Sequence, residues 1–373
     1  MAAMQKKRIF LSPPWIGASE RALVAKAFDS GYVAPCGPFV DELERRLAAL
    51  SSRRHAVAVA SGTAALDLVM AHLGVDSSWT VVAPTLTFVA SVGPAWHRGA
   101  KLVFVDCDKT GSVDVGLLDD ALRSAGGGKT LFVGVDLYGR CCDYDAVSAL
   151  CAERGAVLVM DSAEAVGATF RSRPAGSPGV AGIYSFNGNK IVTTSGGGAV
   201  VTDDPGLAAH VKAMSQQSRE PFPWYEHREV GYNYRMSNIL AALGVAQLGR
   251  LPEILERRRA NHGKYAAVCG RLGVEMLPGV DGENHWLNVA LLKSSEGRDA
   301  LAAAFAAADI ETRPVWKPMH LQPVFSGVRV FGGDVSRDLF ERGLCLPSGT
   351  GLDEEDWGRI MFVMETFSKG GVR

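Results

Sequence analysis

The sequence predicts an α/β protein: a large domain with a mostly parallel central sheet covered by helices, followed by a smaller α+β domain. Three observations predict it. From about residue 56 to residue 160, short strands nearly continuous in Val, Ala and Leu alternate with helical segments; strands apolar on both faces and separated by helices imply a parallel sheet buried on both sides. After Asp161 this rhythm breaks into glycine-rich, polar and aromatic stretches. The chain has 373 residues, enough for two domains or one large domain with a small one appended. The expected division is an N-terminal arm and large domain over residues 1–250 and a small domain over residues 251–373.

Taken in order, Ala18–Asp29 has helical spacing, with Leu23, Val24, Ala27 and Phe28 on one side. Gly31 releases the chain into a loop from Tyr32 to Pro38, too rich in Gly and Pro for regular structure. A second helix is predicted over Phe39–Leu50. Strands follow at Ala56–Ala60, Thr80–Ala83, Leu102–Val105, Thr130–Val135 and Val157–Met160. Helices are predicted between and beside them at Thr63–Leu73, Phe88–His97, Val115–Ser124 and Tyr144–Arg154. Strands at Gly182–Ser185 and Gly198–Thr202 flank a lysine-bearing loop, and a helix follows at Leu207–Met214. Gln216–Arg235 is polar and aromatic with two prolines and reads as a long functional loop. From Asn238 two helices are expected, broken near Pro252. The second, Pro252–Leu272, carries Glu256-Arg257-Arg258-Arg259, expected to be a solvated face. Beyond Val274, strands are predicted near His285–Leu292 and Glu311–Arg313, with a packed Ala-rich helix at Leu301–Ile310.

Composition narrows the function classes. Hydrophobic residues make up 47% and charged residues 21%, as in a globular protein with a sizeable core. A net charge of -1 offers no field for nucleic acid or acidic lipid, so partners must be recognised at local sites. The start of the chain is basic (Lys6-Lys7-Arg8), but Ile9-Phe10-Leu11 stops at Ser12-Pro13-Pro14 without an apolar signal core. No run approaches the length of a membrane span. Seven scattered cysteines without a C-x-x-C pair argue against a disulfide framework or a zinc knuckle. The expectation is free thiols in the cytoplasm, no metal, no membrane and no nucleic acid.

Three positions carry chemistry. Lys190 stands in Tyr184-Ser185-Phe186-Asn187-Gly188-Asn189-Lys190, ahead of Gly196-Gly197-Gly198. A desolvated lysine becomes available as a nucleophile, typically for a Schiff base with a carbonyl or with pyridoxal phosphate (PLP); alone, the stretch reads more readily as a surface turn between two strands. Ser61-Gly62-Thr63 sits where a buried strand becomes a helix, so free N–H groups, a positive dipole end and hydroxyls form a phosphate cradle or an ordinary N-cap. Asp161 ends a buried strand, where a carboxylate needs a cation, such as a pyridinium N–H, unless it caps a helix. Glu164 lies one helical turn on and could reach the ring's phenolic oxygen. Ser185 offers another phosphate contact, and Phe88 could stack on the ring or be a core aromatic. Cradle, strand-end Asp and glycine-flanked Lys, in that order on a parallel sheet, are the arrangement expected of fold type I PLP-dependent transferases.

The chain resembles the DegT/StrS-type family of PLP-dependent nucleotide-sugar aminotransferases over nearly its whole length. The resemblance rests on Ser61-Gly62-Thr63-Ala64-Ala65-Leu66, Thr87-Phe88, Asp161-Ser162-Ala163-Glu164-Ala165-Val166-Gly167, Tyr184-Ser185-Phe186 with Lys190, and Gly231-Tyr232-Asn233-Tyr234-Arg235-Met236-Ser237-Asn238. Within the family it is most similar to the subgroup acting in UDP-N-acetylbacillosamine biosynthesis. That likeness rests on Leu11-Ser12-Pro13-Pro14, Tyr32-Val33-Ala34-Pro35, Asn187-Gly188-Asn189, Glu311-Thr312-Arg313-Pro314-Val315-Trp316-Lys317 with Met319-His320, and Cys345-Leu346-Pro347-Ser348-Gly349-Thr350.

The resemblance implies that Lys190 carries PLP as a Schiff base and shuttles protons, that Asp161 pairs with the pyridine nitrogen, and that Phe88 stacks on the ring. Ser61, Gly62, Thr63 and Ser185 would hold the phosphate. Asn233 would reach the phosphate of the neighbouring subunit, making the active unit a homodimer. Many relatives have Gln where this chain has Glu164; the bacillosamine-type subgroup carries Glu. Relatives that dehydrate sugars carry His in place of the lysine, so Lys190 favours transamination. The implied reaction takes the amine of L-glutamate, releases 2-oxoglutarate, and aminates a nucleotide-linked 4-keto-6-deoxy sugar, UDP-2-acetamido-2,6-dideoxy-4-ketoglucose being favoured. Tyr32, Ala34, Trp316 and His320 are candidates for the sugar pocket, or else loop packing and a core histidine. The alternatives are a PLP-dependent sugar dehydratase, amination at C3, and a non-catalytic regulator on the same fold.

Overall fold

The strands of the first half assemble in space as their apolar character demands. In the computed structural model, which describes residues 7–126 and 128–369, β1 (His55–Val59), β2 (Thr80–Pro84), β3 (Lys101–Val105), β4 (Thr130–Val135) and β5 (Val157–Asp161) are nearly buried throughout. Most of the basic start, residues 1–6, lies outside the described residues. A two-stranded hairpin, β6 (Thr169–Phe170) with β7 (Arg173–Pro174), leads to β8 (Ala181–Ser185) and β9 (Gly198–Thr202). The central sheet has eight strands in the order β1-β9-β8-β5-β4-β2-β3, closed at the far edge by an eighth strand from near the end of the chain, described below.

One connection breaks the parallel pattern. The loop between β8 and β9, residues 186–197, contains no helix, and the two strands pair antiparallel. β9 then pairs antiparallel with β1, while β8 runs parallel to β5. As a result β1, β5 and β8 all end at the same edge, which brings Ser61, Asp161 and Ser185 together. That edge is where ligands bind in open α/β sheets.

Helices α1 (Ala18–Asp29), α2 (Pro38–Ser51), α3 (Gly62–His72), α4 (Gly93–His97), α5 (Val115–Ala125), α6 (Tyr144–Arg154), α7 (Pro205–Met214), α8 (Asn238–Gly249) and α9 (Leu251–Leu272) cover the sheet or lead away from it. The helix predicted over Phe88–His97 is instead a 3-10 turn, Val89–Ser91, followed by α4. Pro94 lacks an N–H and favours a helix start rather than a helix interior, and Phe88 itself is extended. Gln216–Arg235 contains no helix or strand, as expected of a long loop.

The expectation of a solvated face at Glu256–Arg259 is corrected at one residue. Arg258 is 1% exposed. Helical spacing places it with Leu251, Ile254, Asn261 and Tyr265 on the buried side of α9, while Glu256, Arg257 and Arg259 lie outside it.

The last third forms a four-stranded antiparallel sheet from β10 (Glu275–Met276), β11 (Asn288–Leu291), β12 (Arg313–Pro314) and β14 (Gly343–Leu346), in the order β10-β11-β14-β12. It packs with α10 (Ser295–Ala307), α11 (Asp334–Arg342) and α12 (Glu354–Lys369). β13 (Arg329–Phe331) leaves this group and joins the large sheet, pairing parallel with β3. Asp106, just past β3, secures the return: its carboxylate accepts from the backbone N–H groups of Gly333 (2.7 Å), Val335 (2.9 Å) and Ser336 (2.9 Å) at the start of α11. Among the described residues, no helix is long and apolar enough to cross a membrane.

Asp106 yields a pH-dependent prediction. Burial pushes its carboxyl up, but hydrogen bonds from Ser336, Gly333 and Cys107 outweigh burial and hold it below the usual carboxylate range. A depressed folded value contributes stability that is full above the unfolded value, about 4, and is lost as pH falls through the folded value. Asp106→Ala should destabilise the protein by about 1–3 kcal/mol at pH 7. In urea unfolding, the gap from wild type should shrink as the pH is lowered towards 3.

Candidate active site

The cradle forms because β1 ends where α3 begins. Ser61 is extended and its hydroxyl accepts from Ala64 N–H at 3.0 Å, so it is the N-cap. Capping leaves the hydroxyl proton and the other first-turn N–H groups for a ligand. A Cβ at Gly62 would stand 3.1 Å from Ser185 Cβ, and one at Gly198 only 2.4 Å from the Ser61 carbonyl carbon. Glycine at both places lets the cradle, the end of β8 and the start of β9 close on one another. Thr63 adds an exposed hydroxyl.

Asp161 is buried at the end of β5. Its Oδ2 accepts from Ser91 Oγ at 2.6 Å, which lies 2.7 Å from Thr87 Oγ1, and its Oδ1 accepts from Ala163 N–H at 3.2 Å. Burial pushes its carboxyl up, offset in part by these bonds and by the charge of Lys190. Glu164, 5% exposed, accepts from Lys190 Nζ at 3.2 Å on one oxygen and from Tyr138 N–H at 2.7 Å on the other. Burial raises its carboxyl as well, against the opposing charge of Lys190. Tyr138 takes a left-handed conformation, φ 55°. That is uncommon for a bulky residue, and the turn is held where its N–H meets Glu164.

Lys190 lies between Glu164 and Trp286, with Nζ 4.1 Å from the indole ring centre. An ammonium over an aromatic face is attracted by the ring quadrupole. Trp316 completes an aromatic wall, with ring centres 5.0 Å from Tyr138, 5.5 Å from Phe88 and 6.4 Å from Trp286.

Most of these groups line one cavity of about 760 Å³; Tyr138 is fully buried and does not reach it. Of the residues singled out from sequence, it brings together Ser61, Gly62, Thr63, Phe88, Asp161, Glu164, Ser185, Lys190 and Trp316. The other four are not among the residues lining it. Tyr32 and Ala34 are on the exposed loop before α2, where their carbonyls accept from Asn238 Nδ2 and N–H, both at 2.9 Å. Asn233 is exposed in the long loop, bridged to Gln216. His320 has Nδ1 2.7 Å from Thr85 Oγ1. Sequence reasoning missed Trp286, Tyr138 and Ser91. Ser91 could have been found four residues after Thr87; nothing local marks Trp286.

PLP fits this donor set. The cradle offers uncharged hydrogen-bond donors at a positive helix end for a phosphate, a buried carboxylate without a cation in contact awaits a protonated ring nitrogen, and a half-buried amine stands within the same cavity. The fold and site define a PLP-dependent transferase. The model of the DegT/DnrJ/EryC1/StrS aminotransferase family matches residues 14–365. EpsN of Bacillus subtilis (strain 168), assigned by name as a pyridoxal phosphate-dependent aminotransferase, is 38% identical over 371 residues, covering 96% of this chain and 95% of EpsN. GDP-perosamine synthase of Caulobacter vibrioides is 33% identical over 365 residues, covering 96% and 98%. Among solved structures, DesI in the presence of its TDP-sugar product superposes with a TM-score of 0.88 at 30% identity, over 98% of this chain and 94% of DesI. The chain belongs to the DegT/DnrJ/EryC1/StrS family and is a PLP-dependent nucleotide-sugar aminotransferase.

Asp161→Asn should keep the hydrogen bond from Ser91 but lose the charge. Removing one partner of a buried charged pair costs about 2 kcal/mol or more, so PLP should dissociate about thirtyfold more readily. Titration of the apoprotein with PLP, followed by absorbance, measures this.

Proposed function

We propose that this enzyme transfers the amine of L-glutamate to C4 of UDP-2-acetamido-2,6-dideoxy-4-ketoglucose, giving a 4-amino sugar for glycan biosynthesis in the cytoplasm. The observation that carries transamination is the place of Lys190, held between Glu164 and Trp286 on the wall shared with Asp161 and the cradle. The sugar assignment is supported by the bacillosamine-type motifs, since Asn187-Gly188-Asn189, Glu311, Arg313 and Trp316 all line that cavity.

Each residue has a role in this reading. Ser61, Gly62, Thr63 and Ser185 bind the cofactor's phosphate, Asp161 holds its ring nitrogen, and Phe88 covers one ring face. When bound, PLP carries the migrating amine and draws electrons from the carbon that loses or gains a proton. Lys190 anchors the cofactor, and when its amine is free it removes and returns that proton; Glu164 and Trp286 supply its resting place. The aromatic wall excludes water. Residues 1–250 hold the cofactor, and residues 251–373 contribute Trp286, Trp316 and the sugar side of the pocket.

The enzyme acts as a homodimer in this reading. The loop Gln216–Arg235 exposes Phe222, Trp224, Tyr225 and Val230, and the loop before α2 exposes Tyr32 and Val33. A second copy covering these surfaces would bring Asn233 towards its partner's cradle and Tyr32 and Ala34 towards a shared sugar pocket, with His320 nearby. A second reading, a GDP- or TDP-linked 4-keto sugar, is favoured by the perosamine synthases and DesI among the relatives.

Lys190→Ala should abolish turnover and the absorbance band of bound cofactor; wild-type transamination by this variant would sink the assignment. A screen of UDP-, dTDP- and GDP-linked keto sugars with glutamate, read by product mass, decides the nucleotide. It also separates amination from dehydration. NMR of the product distinguishes C4 from C3.

A further inference from the structure

Arg258 is a fully buried cation that the reaction does not use. It is 1% exposed, and among the described residues no carboxylate pairs with it. Burial alone pulls its guanidinium down to about 9. A buried charge without a counter-ion is costly, and hydrogen bonds are what offset that cost here.

Two of the three lead to one peptide. Arg258 Nη1 donates to the Trp286 carbonyl at 2.9 Å, Nη2 to Ser12 Oγ at 3.0 Å, and Nε to Thr350 Oγ1 at 2.9 Å. An arginine can only donate, so Ser12 Oγ must accept from it, and the serine's own proton is turned elsewhere. It goes to the Asn189 carbonyl, 2.9 Å away. The same carbonyl accepts from Trp286 Nε1 at 2.7 Å. Arg258, Ser12, Asn189 and Trp286 therefore close a ring of four hydrogen bonds. Both lone pairs of the Asn189 oxygen are used, and the other side of that peptide, Lys190 N–H, donates to Asn187 O at 3.0 Å. The peptide plane ahead of Lys190 is held from both sides. The indole fixed by this ring is the one whose face meets Lys190 Nζ.

We propose that Arg258 is a positioning residue for Lys190, acting through Ser12 and Trp286 to hold the Asn189–Lys190 peptide and the indole surface on which the free amine rests. This rests on the reading of Lys190 as cofactor anchor and proton carrier. The buried guanidinium, which can only donate, turns the Ser12 hydroxyl proton onto Asn189; an apolar residue would leave that hydroxyl free to turn.

The test compares Arg258→Met and Arg258→Lys with wild type. Single-turnover transamination of glutamate, KM, thermal unfolding, and amine-selective labelling of Lys190 in the apoprotein are followed, with surface Lys264 as the labelling reference. Arg258→Met should lower the rate about 10- to 100-fold, as expected for a misplaced catalytic group, with KM unchanged. Lys190 labelling should change while Lys264 labelling does not, and Arg258→Lys should recover part of both. Wild-type rate and labelling in Arg258→Met overturn the proposal, as does a loss matched by lower stability and by parallel changes at Lys264. If Arg258→Met does not fold, Trp286→Phe, which keeps a ring but removes the indole N–H, must show the slowed rate and altered Lys190 labelling; wild-type behaviour there overturns the proposal equally. A wild-type enzyme that fails to transaminate defeats the functional reading instead, and labelling of the apoprotein still reports the positioning.

Discussion

Two buried carboxylates, Asp161 and Glu164, share the wall of a single cavity with the Lys190 amine, and their burial is the constraint on which the site depends. Of the two, only Glu164 pairs with Lys190, so Asp161 is left with neutral donors. A buried carboxylate is tolerated only with hydrogen bonds or a cation. The protein supplies the first through Ser91 and Ala163; a protonated ring nitrogen of the cofactor would supply the second.

The surrounding structure holds these charges in place. The antiparallel step between β8 and β9 sets Lys190 beside the end of β5. Tyr138 adopts a left-handed turn to present an N–H to Glu164. Strain of this kind persists where neighbouring packing over-determines the conformation, and here the Tyr138 ring lies against Trp286 and Trp316. The Tyr138 hydroxyl also accepts from Trp316 N–H, so the aromatic wall and the Glu164 contact are one assembly. Asn284 extends it: its Nδ2 donates to the carbonyls of Glu164 and Val166, and its Oδ1 accepts from Trp286 N–H. Residues from the first half of the chain and from its last third meet at the lysine through a few backbone groups.

How much was legible before folding differs by kind of feature. The alternating strands and helices of the first half were readable because fully buried strands and amphipathic helices leave different periodicities. The stretch Phe88–Ser91 has helical spacing yet forms a 3-10 turn, because Pro94 starts a new helix rather than continuing one. Glu256–Arg259 looked uniformly solvated because a charge run hides which member faces inward; the spacing from Leu251 and Ile254 to Arg258 and Tyr265 was present but overridden by charge. β13 is only three residues long, too short to announce that it belongs to the large sheet.

The sequence by itself determined the chemical parts: a cradle at a strand-to-helix junction, a strand-end carboxylate and a glycine-flanked lysine, each tied to local backbone geometry that its own residue types dictate. Their membership in one family followed from motifs that are contiguous along the chain. Tertiary structure alone decided that Trp286, nearly a hundred residues beyond Lys190 (286 − 190 = 96), would lie beneath its amine, that Arg258 would be buried without an acid, and that Ser12 would reach the Asn189 carbonyl. Such contacts depend on how separate elements pack, and no local propensity encodes a hydrogen bond between residues whose nearness exists only after the chain has closed around them.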